Sequence, residues 1–463
     1  MRKPVTITTA AVLIGCFSAL AMTWNGAASQ DVFATNTPSA QSGLAFATNT
    51  PDSRIVEDDA TLPPTPTLTP SLTPTFTLTP TFTPTITASP TQTPSPTATP
   101  NGPRIYPDGV NPLTGQPYPS DEARERRNLI IKISNFPPQV RPQSGLNQAD
   151  VVWEYEVEGG VTRFAAIFRS QMPSHVGPVR SGRLLDLELA PMYEALLAYS
   201  GASEPVQDLL LGQPWSLNVI SPSIGDNCRE AGFCRFPGVN MAFEHTLYAD
   251  TSVIWDRATR RGVNTGYRAR GFAFSEEPDA NGTPVNDIYL NWYGQTDARW
   301  QYDPATTHYV RFTEGVAHYD RLDGDQVWTD NLVVIEVPHE DRPDLFEAES
   351  RSASQQINLW DTGRAYLFRD GQWYTGLWRR RDREPGTALE LLYSNGAPMM
   401  MEPGRTWVSV VRWLGDVVTD TVYADVPATS TVRAATYTAT PSPTAGPSQT
   451  PEATLNPTVT LHP

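Results

Sequence analysis

From Trp153 the chain alternates: Trp153, Tyr155 and Val157 fall on one side, Glu154, Glu156 and Glu158 on the other. A period of two predicts a strand. Gly159-Gly160 then predicts a two-residue turn, and Val161 to Phe168 the return strand, with Phe164, Ala166 and Phe168 on its core face. In that register Glu156 faces Arg163, Asp150 faces Arg169 and Tyr155 faces Phe164. The glutamates form either a solvated face with ordinary cross-strand pairs or, with Arg163, the wall of a cleft. Three carboxylates on one face repel unless cations or protons offset them.

Upstream, Leu129 to Ile133 reads as a strand leading into a Pro-Gly loop that carries Arg141, Gln143 and Ser144. Downstream runs "HVGPVRSGRLLDLELAPMYEALLAYSGASEPVQDLLLG". Ser181 is placed to cap a helix over Arg183 to Ala190 that Pro191 interrupts. Glu194 to Tyr199 reads as a buried strand. Ser203 caps a second helix with Pro205 in its first turn. Two helix starts beside Arg180, Arg183 and Arg141 suit a carboxylate or phosphate. The same arginines suit structural bridges to Asp186, Glu188 or the hairpin acids.

From Ile288 the pattern is strand-rich, with Asp370-Gly371 and Asn395-Gly396 as hairpin turns. Eight of the twelve tryptophans lie between Trp292 and Trp413, as core or as a platform for sugar rings. The expected class is therefore α+β: a mixed α/β part over 104–275, then a β-rich part over 276–426.

Composition adds the flanks. Residues 30–103 and 427–463 are dominated by Thr and Pro and lack the apolar groups that offset chain ordering, so they are expected to stay disordered. The net charge of −16 argues against nucleic acid. Lys3 and Lys132 are the sole lysines, so nearly every cation is an arginine, a planar donor that suits carboxylates and phosphates; genome composition accounts for this equally well.

The start, residues 1–29, has Arg2 and Lys3 before an apolar run. "LIGC" points to lipidation at Cys16; cleavage after Ala21 and an uncleaved anchor over Val5 to Trp24 are the alternatives. Each places the folded part outside the cytoplasm and tethers it to a membrane or releases it. In that setting Cys228 and Cys234 form a disulfide. No metal or cofactor is expected.

His175, His245 and His318 stand in motif-like surroundings, yet no nucleophile elbow or His-Glu-x-x-His pattern accompanies them. The candidate ligand-binding residues are Arg141, Glu156, Arg163, His175, Arg180, Ser181, Arg183, Ser203, His245 and His318.

"NPLTGQP", "RPQSGLNQADVVWEYEVEGGVTRFAAIF", "HVGPVRSGR", "SGASEPV" and "EHTLYAD" follow one another in the order and wording of the YerB-like lipoprotein family, which this chain resembles from about Asn111 to Val411. The resemblance implies a membrane-anchored extracytoplasmic protein with an N- and a C-terminal part and no established activity. Where the family carries "HAGGS", this chain has "AYSGAS", with Ser200 in place of the histidine. The expected function is binding of an anionic envelope polymer or envelope protein. The alternative is an enzyme acting on wall polymers, with Glu154, Glu156, Glu158 and His175 as acid and base groups.

Overall fold

The computed structural model describes residues 101–238, 241–265, 269–292, 295–347 and 352–420. The anchor segment with Cys16, the stalk up to residue 100 and the tail from 421 lie outside the described residues. Residues 101–103, expected to belong to the stalk, are structured. Asn101 bridges Phe274, and the Gly102 N–H donates to the Ile105 carbonyl.

The first half contains β1 (Leu129–Ser134), β2 (Val151–Val157), β3 (Val161–Phe168), β4 (Leu196–Ala198), β5 (Val219–Ile220), β6 (Phe233–Arg235) and β7 (Leu247–Ala249). Its longer helices are α1 (Asp186–Met192), α2 (Glu204–Leu211) and α3 (Thr251–Arg260). The second half adds β8 (Asp287–Leu290), β9 (Ala298–Asp303), β10 (His308–Thr313), β11 (Asn331–Glu336), β12 (Asp361–Arg369), β13 (Gln372–Arg380), β14 (Glu390–Leu392), β15 (Thr406–Val411) and β16 (Val417–Thr419).

One 11-stranded sheet takes strands from both halves, in the order β14-β13-β12-β11-β15-β2-β3-β1-β4-β5, with Thr283–Pro284 paired to β13. The junction is parallel: β15 lies between β11 and β2, with Val151 opposite Thr406 and Tyr155 opposite Val410. The boundary expected at 275/276 is therefore crossed by backbone hydrogen bonds. A second sheet holds β10, β9, β8 and β16.

Both faces of the large sheet are covered. On the first face Ile130, Trp153, Tyr155, Ala165, Ile167, Val333 and Val408 pack with Leu189 of α1 and Leu210 of α2. On the second, Ile131, Val152, Phe164, Ala166, Val334 and Trp407 pack with Trp255 of α3 and with Trp300 and Tyr309 of the smaller sheet. Each fully buried aromatic or aliphatic side chain here contributes about 1.5–3 kcal/mol. Trp292, Trp300, Trp378 and Trp407 are core, so much of the tryptophan excess is packing; Trp413 is exposed.

This two-sided burial corrects the hairpin reading. No residue of β2 faces bulk solvent, because polar alternation here separates two cores and not core from water. The register also shifts by one. Residues 158–160 form a three-residue turn, with Gly159 and Gly160 at φ of +87° and +68°, so Tyr155 faces Arg163 and Glu156 faces Thr162. Asp150 still meets Arg169, by accepting its backbone N–H at 2.6 Å.

The helix after "SGR" starts at Asp186, not Arg183, and Ser181 does not cap it. The Asp186 carboxylate accepts the Arg183 N–H at 2.7 Å, which turns the chain before the helix begins. Pro191 is accommodated near the C-terminal end of α1. Ser203 is the N-cap position of α2, with Pro205 in the first turn. Cys228 and Cys234 are disulfide-bonded. Asp370-Gly371 links β12 to β13 as a two-residue turn, with Arg369 opposite Gln372.

Candidate functional site

Two charged centres sit on opposite faces of the large sheet. On the first face β1 contributes Lys132, β2 Tyr155, and β3 Arg163. Lys132, Tyr155 and Arg163 are buried, and the Lys132 ammonium meets both the Tyr155 hydroxyl and, at 2.6 Å, Asp186. Burial pulls Lys132 down to about 8, although Asp186 opposes the shift. Arg183 reaches back from the loop to Glu158 of the hairpin turn at 2.7 Å. Burial raises the Glu158 carboxyl, but Arg183 and Arg163 outweigh that and hold it below its ordinary value.

Arg163 is the odd member. It is 7% exposed, and its guanidinium has one hydrogen bond, to the Ser181 carbonyl at 3.2 Å. No carboxylate pairs with it among the described residues. Burial, then the nearby charges of Arg183 and Arg180, draw it down to about 9. Arg180 donates to the Glu244 carbonyl at 3.2 Å, while its Nε is buried without a partner. Burial also lowers Arg180, with Arg183 adding to the effect. His245 lies beside it, buried, with Nδ1 unpartnered, and is held below its ordinary value by burial and by Arg180.

Lys132, Arg163, Arg180 and Arg183 thus face Asp186 and Glu158, an excess of two positive charges. The exposed Glu244 carboxylate offsets one of them from the rim. A buried cation with one neutral partner and like charges beside it is costly. An anion accepting from Arg163 Nη atoms and Arg180 Nε would relieve that cost with charge-assisted bonds.

The local chain order explains the gathering. Residues 176–179 run beside β7, the Val179 N–H donating to the Leu247 carbonyl. This sets Arg180 next to the Phe243–His245 turn, and the Arg180 N–H donates to the Lys132 carbonyl at 2.9 Å.

On the second face Glu154 and Arg311 are fully buried and pair at 2.8 Å. Thr162 and the Trp407 indole also donate to Glu154, at 2.8 and 3.1 Å. His318 is enclosed here: Arg311 Nε approaches Nδ1 at 3.2 Å, and Nε2 meets the Gln143 amide oxygen at 2.6 Å. Burial, then Arg311 and Arg141, hold His318 neutral, well below its ordinary value. With both ring nitrogens engaged, His318 serves as a strut between the two halves. A cavity of about 230 Å³ beside it is lined by Pro138, Arg141, Glu314, Val316 and Tyr319.

The expected site residues therefore divide. Arg163, Arg180, Ser181 through its carbonyl, Arg183 and His245 come together. Arg141 and His318 lie across the sheet. Glu156 is held by Arg412 at 2.7 and 3.1 Å. His175 stacks on Tyr248 with ring centroids 4.1 Å apart. Ser203 begins α2, and no hydrogen bond joins it to the arginines among the described residues. Lys132 and Tyr155 are members that the pattern does not single out, and Asp186, expected only as a bridge for the arginines, pairs with Lys132. The one internal lysine, set inside an apolar run, was the available signal.

Elsewhere, Glu402 is half-buried with Oε2 unpartnered, and burial together with Asp370 and Asp330 raises it to about 7. Its folded state holds a proton that the unfolded chain releases above its ordinary value of 4.5. The stability it contributes is complete below that value and is lost as pH rises through 7. Glu402→Gln is expected to gain on the order of 1 kcal/mol over wild type at pH 8, allowing for solvent screening, and nothing at pH 4. Urea unfolding at the two pH values checks this.

An α+β fold with strands of both halves in one sheet, and a charged centre on each face, defines the class. The chain belongs to the family described as protein of unknown function DUF3048, matching the N-terminal domain over residues 113–264 and the C-terminal domain over 288–408. Among curated proteins it is similar to "Putative lipoprotein YerB" of Bacillus subtilis (strain 168), 29% identical over 307 residues, covering 65% of this chain and 85% of that one. Among solved structures it is similar to the crystal structure of YerB protein from Bacillus subtilis, at a TM-score of 0.57 and 25% identity, covering 67% of this chain and 99% of that one.

Proposed function

We propose that this protein is an extracytoplasmic binding protein, tethered at its N-terminus, that holds an anionic group of an envelope polymer or envelope protein at Arg163, Arg180 and Arg183. The relative is described as "Putative lipoprotein YerB", in keeping with the Cys16 box. No helix among the described residues is long and apolar enough to cross a membrane. The observation that carries the binding reading is Arg163: a buried guanidinium without a carboxylate, beside two further arginines. The enzymatic alternative finds less support. Glu154, Glu156 and Glu158 are each held by an arginine, and His175 is stacked apart from them.

A thermal unfolding series in sodium sulfate tests this, with sodium chloride at equal ionic strength as control. A ligand that binds the folded state alone adds about 2.7 kcal/mol at a concentration of 100 Kd. Wild type is expected to show a saturable rise in Tm that Arg163→Met/Arg180→Met lacks. An equal rise in both proteins would reflect general salting and contradict the proposal.

A further inference from the structure

Beyond the anion-binding arginines, the same edge of the fold carries two exposed aromatic rings and further guanidinium groups with no carboxylate partner among the described residues. Phe243 is 70% and Phe236 52% exposed, among the largest exposures of apolar side chains in the described residues. Phe243 precedes Glu244, whose carbonyl takes the Arg180 hydrogen bond. The Arg235 guanidinium lies 3.6 Å from the Phe243 ring centroid, and Nη1 donates to the Phe243 carbonyl at 2.6 Å. Phe236 stands edge-on to His175 at 4.8 Å, and His175 stacks on Tyr248. Arg321 then reaches the Tyr248 hydroxyl at 3.4 Å.

Arg235 and Arg321, like Arg163 and Arg180, have no carboxylate within ion-pair distance among the described residues. In a chain of charge −16, three of these guanidinium groups, Arg180, Arg235 and Arg321, lie along one path, with Glu244 as the exposed carboxylate at its rim. The path runs Arg180, Phe243, Arg235, Phe236, His175, Tyr248, Arg321, so that rings lie between the cations.

Resting on the anion-binding reading, the geometry points to an acidic oligosaccharide as the ligand, its anionic substituents taken by the arginines and its ring faces laid on Phe243 and Phe236. The C–H faces of a pyranose are weakly positive and apolar, which matches the negative face of an aromatic ring. A compact ion would use Arg163 and Arg180 and leave the aromatic row idle. Hydrocarbon insertion would call for an unbroken apolar patch, and here Arg235 and His175 interrupt it. An anionic bilayer would also repel the protein as a whole.

Calorimetric titration of the full chain distinguishes these. Tetragalacturonate is expected to bind at least about tenfold more tightly than sulfate or neutral maltotetraose. Phe236→Ala/Phe243→Ala is expected to lose about tenfold toward tetragalacturonate with sulfate affinity unchanged. Arg235→Gln/Arg321→Gln, at exposed positions, is expected to do the same. The inference is overturned if these variants leave tetragalacturonate affinity intact, if tripolyphosphate competes as well as the sugar, or if phosphatidylglycerol vesicles bind more tightly than either. Any of those results, with sulfate still lost in Arg163→Met/Arg180→Met, would leave the underlying anion site standing. Failure of wild type to bind sulfate would remove both.

Discussion

Arg163→Met is expected to stabilise the folded protein at pH 7 by about 1–4 kcal/mol while abolishing its response to sulfate. The range is that for replacing a buried ion pair by apolar groups of similar volume, and a buried cation with no carboxylate partner has less attraction to lose. Losing the bond to the Ser181 carbonyl returns only about 1 kcal/mol of this. The pH dependence follows from the sign of the shift. Arg163 is lowered from 12.5 to about 9, so above pH 9 the unfolded chain binds more protons than the folded one and stability rises with pH. The penalty is complete below pH 9 and fades above it. The advantage of the methionine variant should accordingly shrink between pH 8 and pH 10. Lys132, lowered to about 8 by burial, contributes a rise of the same sign that the variant retains. Guanidinium-chloride unfolding of both proteins across that range reads the difference. A residue that costs stability and has no carboxylate partner among the described residues is one whose place a ligand would explain.

Glu154→Ala should be the most damaging single change, lowering stability by about 3–5 kcal/mol, because it strands a buried Arg311 charge. Arg311 Nη1 already lacks a partner, so the Glu154 carboxylate, at 2.8 Å, is its principal compensation. Glu154 lies on β2 and Arg311 on β10, in different halves of the chain. The change should lower a single unfolding transition, because the large sheet and this pair join both halves. Glu154→Leu/Arg311→Met is expected to recover most of the loss, since both charges leave together. Urea unfolding followed by tryptophan fluorescence checks both; two separated transitions in wild type would contradict the shared-core description.

The hairpin shows how far residue pattern alone reaches. Alternation from Trp153 to Glu158 identified both strands and their turn, because period two is a local property of the backbone. It misplaces the register by one residue and leaves Glu154 and Glu156 to a solvated face or a cleft wall, where the structure buries them. Those errors share a cause: the turn takes Glu158 as well as the glycines, and the second core that buries Glu154 comes from β10 and β15, more than 150 residues away in the chain. Cys228 and Cys234 were legible because they are close in sequence. The gathering of Arg163 with Arg180 was anticipated from loop and strand adjacency. Lys132, Tyr155 and Asp186 were not, since their meeting depends on the β1–β3 pairing and on where α1 begins. The aromatic row of Phe236 and Phe243 carried no periodic signal, because exposed rings on a turn follow no repeat.

The central claim is that Arg163 is held, charged or uncharged, for an anion. Its most direct test is calorimetric titration of the full chain with sulfate at pH 9, repeated in buffers of different ionisation enthalpy. Sulfate carries no titrating proton at that pH. An anion beside Arg163 favours the charged forms of the buried cations, so saturable binding should be accompanied by net proton uptake, and Arg163→Met should show neither the binding nor the uptake. Saturable binding that Arg163→Met retains, or no saturable binding in wild type, would contradict the account.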